Sequence, residues 1–147
     1  MGWIFFWAFL DKLFGLSFAT QPENSWLNGG SPTFSFLAYA SKGPFAEFYQ
    51  SIAGNVFVDW LFILGLLFIG MALLLGMGVK IAAFSGTLMF LLMYTAVLPP
   101  KNNPLVDDHI IYSLVLIGLS FVKSGRLFGL GKYWSRTKLV KKHPFLE

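Results

Sequence analysis

The chain contains no cysteine. Disulfides, thiolate zinc sites, iron–sulfur clusters and CxxC redox chemistry are therefore excluded within it. Charge is scarce as well: Asp, Glu, Lys and Arg make up 12% of 147 residues, against roughly a quarter in soluble domains. A soluble fold this poor in polar residues could not cover itself, whereas lipid wets the outer face of a membrane protein. What the sequence has instead is apolar, with 56% hydrophobic and 18% aromatic residues, 17 of them Phe. The length suits one domain.

Three apolar runs are long enough to span a bilayer. Trp60–Met77 and Ile81–Leu98 are each 18 residues without a charge, near the lower end of the roughly 17–25 that a spanning helix needs. The third, Ile110–Leu127, is interrupted near its end by Lys123 and Arg126, whose long side chains snorkel to the interface. Met1–Ala19 is also long enough, but carries Asp11 and Lys12 near its middle. It lacks the basic start of a signal peptide and is crowded with Phe and Trp, so it reads as a retained helix. Because the helix begins almost at the first residue, a few residues of the natural start are expected to be absent.

The connections differ. Gly78, Val79 and Lys80 make a tight antiparallel hairpin of the second and third helices. Pro99, Pro100 and Pro104 stiffen the turn between the third and fourth. Thr20–Asn55 is long and aromatic, with Trp26, Phe34, Phe36, Tyr39, Phe45, Phe48 and Tyr49. Within it, Ser31-Pro32 and Gly43-Pro44 each open a short helix, the second ending at Gly54. Both are too short to span and are expected at the interface or folded back over the bundle. The expected fold is thus all-α: a four-helix transmembrane bundle with short interfacial helices in a long first outward loop. Its helices cover about 2–19, 57–77, 79–98 and 109–128, in a membrane domain of residues 1–134 followed by a basic cytoplasmic tail, 135–147.

Cations set the topology. Lys132, Arg136, Lys138, Lys141 and Lys142 follow the fourth helix and Lys80 sits in the short loop, whereas the long loop has only Lys42 and the third only Lys101. The positive-inside rule places both termini in the cytoplasm, for a plasma membrane of a prokaryote. The tail is expected to attract anionic lipid head groups rather than nucleic acid.

Few residues can carry chemistry. Asp11 and Lys12 stand inside a predicted span, where each costs roughly 2.5 to 3.5 kcal/mol. Successive helical residues point in different directions, so at least one should find a partner in the bundle. Asp59, Asp108, Tyr112 and Tyr94 are the candidates. A structural clamp, proton or electron coupling, and a snorkelling Lys12 all remain open. Asp108 is placed to cap the fourth helix. That leaves His109 unexplained, and an imidazole beside carboxylates can pass a proton or hydrogen-bond a quinone carbonyl. Trp60 and Tyr112 would supply flat walls for the ring. Asp59-Trp60 also reads as a helix-start acid with an interface tryptophan. Gly65, Gly70, Gly76 and Gly78, with Ala72, permit close helix packing. No metal site is expected, because His143 falls on the opposite side from His109.

Ala8-Phe9-Leu10-Asp11-Lys12-Leu13, the long aromatic loop, the run NNPLVDDHIIYSLVLIGL at 102–119, and Gly125-Arg126 with Gly129-Leu130-Gly131 resemble the DoxX family. That family includes the related DoxD-type small subunit of thiosulfate:quinone oxidoreductase. The resemblance covers roughly residues 1–134. Phe9 stands where the family has a small residue, and Lys12 matches. It implies a four-helix membrane bundle in redox metabolism, where relatives oxidise thiosulfate to tetrathionate, reduce a quinone, and associate with a second subunit and terminal quinol oxidases. Lys12, Asp108 and His109 are the matching polar positions and so the candidate catalytic residues.

An outward face with Lys42 and Lys101 against Glu23, Glu47, Asp59, Asp107 and Asp108 suits a dianion such as thiosulfate poorly. The quinone side is therefore the expected share of this chain, within a complex of membrane subunits. A non-catalytic accessory or anchoring subunit is the alternative. A small-solute transporter is disfavoured by the lack of repeats or broken helices.

Overall fold

The computed structural model describes residues 1–101, 103 and 105–146, with the backbone alone at Phe128. Asn102 and Pro104 of the proline-rich connection lie outside the described residues. The described residues contain helices and loops and no strand. The main helices are α1 (Gly2–Phe14), a short α2 (Ala46–Ser51), α3 (Val56–Leu75), α4 (Val79–Ala96) and α5 (Asp108–Phe121). Three shorter helices follow, α6 (Ser124–Phe128), α7 (Gly131–Trp134) and α8 (Lys138–Lys142).

Two of these, α3 with 20 residues and α4 with 18, are long and apolar enough to cross a membrane. The other two expected spans are shorter than the sequence suggested. α1 has 13 residues, about 20 Å of helix at the usual rise. It stops five residues before the expected Ala19, and the cause is local. Gly15 takes the left-handed conformation at φ 66° and donates its N–H to the Asp11 carbonyl. The Asp11 carboxylate then accepts the N–H groups of Phe18 (3.2 Å) and Ala19 (3.0 Å), turning the chain out of the helix. α5 has 14 residues. It breaks at Lys123, which adopts φ 49° and ψ 43° before α6 begins, so the expected helix 109–128 is two pieces.

The four longer helices share one core. Phe5 of α1, Leu66 and Ile69 of α3, Ala82, Ala83 and Phe90 of α4, and Leu116 of α5 are buried together. Their order is antiparallel throughout. Gly2 lies against Leu74 and Gly70 against Phe6, so α1 runs opposite to α3. Gly86 faces Leu116, and Gly125 meets Val79, so α4 runs opposite to α5. Small residues make the crossings possible. A Cβ at Gly70 would stand 2.7 Å from the Phe6 nitrogen, so any side chain there would force α1 away. Close backbone approach of this kind is how helices pack when lipid removes the hydrophobic incentive to associate.

The long loop closes one end of the bundle. Lys42 donates its N–H to the Ala96 carbonyl at 2.9 Å. The Tyr49 hydroxyl donates to the Leu92 carbonyl and lies 2.6 Å from Thr95 Oγ1. Leu37, Tyr49 and Ala96 form a second, smaller core beneath it. Gly43-Pro44 opens a 3-10 turn that runs into α2, while the segment after Ser31-Pro32 winds as a π-helical stretch, Phe36–Ala40.

At the other end the basic tail folds back instead of trailing away. Leu130 donates its N–H to the Leu75 carbonyl, and Trp134 Nε1 donates to the Leu146 carbonyl at 2.7 Å. Val140 of α8 is buried. The chain ends therefore share one end of the bundle with Lys80, Lys123, Arg126 and the tail lysines. Asp11, Asp59, Asp107 and Asp108 mark the opposite end, and the exposed bodies of α3 and α4 between them carry Leu61, Leu64, Phe68, Leu75, Leu88 and Leu92.

Candidate functional site

Asp11 finds its partners in the backbone. Its side chain is 2% exposed and serves the amides of Phe18 and Ala19, rather than any of the four side chains expected for it. Lys12, one residue on, points elsewhere. Its ammonium lies 5.9 Å from the centre of the Phe62 ring of α3, a cation–π contact that compensates part of its desolvation.

Lys12 also stands at one end of a long apolar groove. This groove of about 900 Å³ runs along the α3–α4 hairpin, toward the upper limit for ligand pockets. Lys12, Thr33 and Tyr49 line one end, and Met77, Trp134 and Leu146 the other. Between them the walls are Leu61, Phe62, Gly65, Phe68, Ile69, Met71, Leu88, Met89 and Leu92, with Ser85 the polar exception midway. Lys12 is the one charged side chain among the described lining residues.

A second polar cluster is structural. Asn55 caps α3, accepting from Phe57 and Val58. Asp59 is left free by that cap and is 6% exposed. It accepts the hydroxyls of Ser31 (2.8 Å) and Thr33 (2.5 Å) and the N–H of Thr33 (3.3 Å), which ties the long loop to α3. Its role goes beyond the helix-start acid read from the sequence. Trp60 beside it packs edge-on against Trp26, with ring centres 4.6 Å apart.

The third cluster sits at the start of α5, and here the cap falls one residue earlier than expected. Asp107, not Asp108, is the N-cap, accepting from the N–H groups of His109 and Ile110. Its other oxygen lies 2.7 Å from His109 Nδ1. Partial burial pushes the Asp107 carboxyl up, but the His109 hydrogen bond, the Ile110 N–H and the charge of His109 outweigh it and hold it below its usual range. Asp108 is exposed in the first turn. His109 and Tyr112 both pack against Phe90, at 6.1 and 5.5 Å between ring centres.

The structure thus brings His109 and Tyr112 together, adds Asp107 to them, and leaves Trp60 and Lys12 in separate surroundings. Neither Trp60, His109 nor Tyr112 belongs to the described lining of the groove. Sequence reading missed the groove because it is a space between side chains of α3, α4 and the long loop, which leaves no motif. It gave the cap to Asp108 rather than Asp107 because two adjacent acids offer the same chemistry, and only the chain's entry into α5 decides between them.

No protein-family model, curated protein or solved structure matches the chain. The likeness to the DoxX family therefore rests on the residues quoted for it above.

Proposed function

We propose that the chain is a multi-pass integral membrane protein, with both termini on the cytoplasmic face of a prokaryotic plasma membrane, acting as a subunit of a quinone-linked redox complex of DoxX type. The observation that carries this reading is the apolar groove with a single ammonium at one end. A slot the height of two spanning helices suits an isoprenoid chain, and the Lys12 end suits a polar ring. In this reading all four long helices lie in the bilayer. α1 and α5 are short for a hydrocarbon core of roughly 30 Å, and local thinning of the bilayer accommodates them.

The residues divide the work. A bound quinone supplies the electron-accepting chemistry. Lys12 would hold such a ring through a hydrogen bond from its ammonium to a carbonyl oxygen. Phe62 shields the ammonium from water and fixes its position. His109, oriented by Asp107 through Nδ1, leaves Nε2 to take or give a proton at the same end of the bundle. The acidic surroundings of that end repel a dianion such as thiosulfate, so the electron donor is handled by another subunit.

The test is purification in mild detergent followed by extraction and identification of bound quinone and partner chains. Quinone retained by the native protein and lost from Lys12→Ala supports the reading. Absence of quinone from a preparation that retains its partner subunits defeats it.

A second reading, an accessory subunit that anchors partners, draws support from the aromatic surface of the long loop. Tyr39 is 80% exposed and Phe48 61% exposed. Stoichiometric copurification of an oxidase or dehydrogenase, lost when these rings are replaced by Ser, would favour it.

A further inference from the structure

We propose that the α3–α4 groove gauges the tail of its ligand: it takes about four isoprene units between Lys12 and a floor made by Trp134 and Leu146, and turns the rest of a longer tail out into the bilayer. The inference rests on the reading of the groove as the ligand's seat, and adds to it a length and the residues that set that length. The top is fixed by Lys12, whose ammonium stands over the Phe62 ring. The bottom is fixed by the fold-back of the tail. Leu130 donates its N–H to the Leu75 carbonyl, which brings the segment that follows against the end of α3. Trp134 Nε1 then donates to the Leu146 carbonyl at 2.7 Å, and both residues line the groove there. From Phe62 to Leu75 the helix rises about 20 Å. An extended isoprene unit, four chain bonds long, covers about 5 Å at ordinary carbon–carbon lengths.

The walls suit such a chain. Four of the five methionines, Met71, Met77, Met89 and Met93, line the groove. Met is unbranched and turns about three bonds, so it refits to irregular apolar shapes, such as the methyl branch that recurs along an isoprenoid. Leu61, Leu64, Phe68 and Leu88 line the groove and are exposed, so it is open along its side and a chain can leave toward lipid. Lipid tails are as apolar as these walls. The gain on binding therefore comes from dispersion contacts with fitted walls, and units past the floor exchange lipid for lipid and gain nothing. The register of the hairpin supplies a marker of depth. A Cβ at Gly65 would meet Met89 and one at Gly86 would meet Ile69, which puts Ser85 about level with Ile69. That level is about 10 Å below Phe62, or two units down.

The experiment titrates the full-length protein in neutral detergent with a benzoquinone whose isoprenoid tail is lengthened unit by unit, and with the matching polyprenols. Each affinity is corrected for partition into empty micelles. Binding is expected to tighten by about three- to tenfold with each unit, the upper figure being the usual yield of five ligand atoms, and to level off after about the fourth. Ser85→Phe blocks the slot level with Ile69. It should bring the break forward to about the second unit, with shorter tails bound as by the native protein. Trp134→Ala removes the floor and should move the break to a longer tail. Where Ser85→Phe does not fold, Ser85→Leu makes a smaller block at the same level. A rise that continues unbroken in the native protein, or a break that stays in place in either variant, overturns the gauge and leaves the quinone reading standing. Polyprenols that show the break beside quinones that do not bind would do the reverse. Absence of binding at every length in both series overturns both.

Discussion

The Asp11 carboxylate accepts the Ala19 N–H at 3.0 Å from within the helix that precedes it. With the Phe18 N–H on its other oxygen, this one side chain ends α1, reverses the chain and hides its own polarity. Asp11→Ala leaves two partly buried amides without their acceptor and is expected to cost roughly 1–3 kcal/mol. Asp11→Asn keeps one acceptor oxygen and should cost about half as much. Denaturation in detergent measures both. Equal effects from the two would mean that the carboxylate does not act through these amides.

A comparable tie holds the long loop. Asp59→Ala removes the acceptor of the Ser31 and Thr33 hydroxyls and should release residues 20–45 to proteolysis before the helices unfold. Thr33→Val removes one of the same bonds, so the two changes are expected to be non-additive by about 1–2 kcal/mol. Independent effects in the double variant would show that the contact does not stabilise the loop.

Much of the architecture was legible in the sequence, and the polar residues show where legibility ended. The uncharged runs marked α3 and α4 to within a few residues, and the glycines marked the crossings with α1 and α6. The length of α1 was not legible, because Asp11 inside an apolar run looks like a buried charge seeking a partner helix. Its partners are amides seven and eight residues ahead, and main-chain donors leave no trace in composition. The fold-back of the tail was hidden for the opposite reason: its lysines announce solvent, while the burial of Val140 and the Trp134 indole bond depend on the bundle end they meet. At the candidate site, His109 and Tyr112 both pack on Phe90 while Trp60, expected beside them, packs on Trp26, and the groove beside Lys12 was invisible, being a space and not a residue.

The start of α5 separates two adjacent acids. Asp107→Ala removes the cap and the His109 contact and should cost about 1 kcal/mol, while Asp108→Ala, exposed in the first turn, should cost a few tenths at most. The pH dependence has a definite sign. The Asp107 carboxyl is held below its ordinary value of 3.8 in the folded protein, so its contribution is fully present above that value. It is lost as pH falls through the lower folded value. The native protein should therefore lose stability below about pH 4 more steeply than Asp107→Asn. Parallel acid profiles for the two proteins would remove Asp107 from the account.

The crossing of α1 and α3 tolerates no side chain at position 70. Gly70→Val is expected to cost about 3 kcal/mol or more, because the Phe6 main chain cannot retreat without opening the shared core around Phe5. Gly65→Ala is the control. Its nearest neighbour is the flexible end of Met89, which can move aside, so the change should be nearly neutral in stability. If both substitutions were equally mild, α1 would not be packed against α3 at this register.

The groove can be closed without touching its charge. Ser85 lines it midway and is only half-buried, so Ser85→Phe places a ring across the slot while leaving Lys12 and the shared core in place. An apolar-tailed molecule held along the groove should then bind at least tenfold more weakly, a loss of about 1.4 kcal/mol or more, with helix content unchanged by circular dichroism. Lys12→Met keeps the slot open and removes the head contact alone, so it should weaken binding of a polar ring while a plain hydrocarbon chain still enters. The two variants separate the parts played by shape and charge. If both bind as the native protein does, the ligand lies elsewhere, and the cluster of Asp107, His109, Tyr112 and Phe90 becomes the place to look for it.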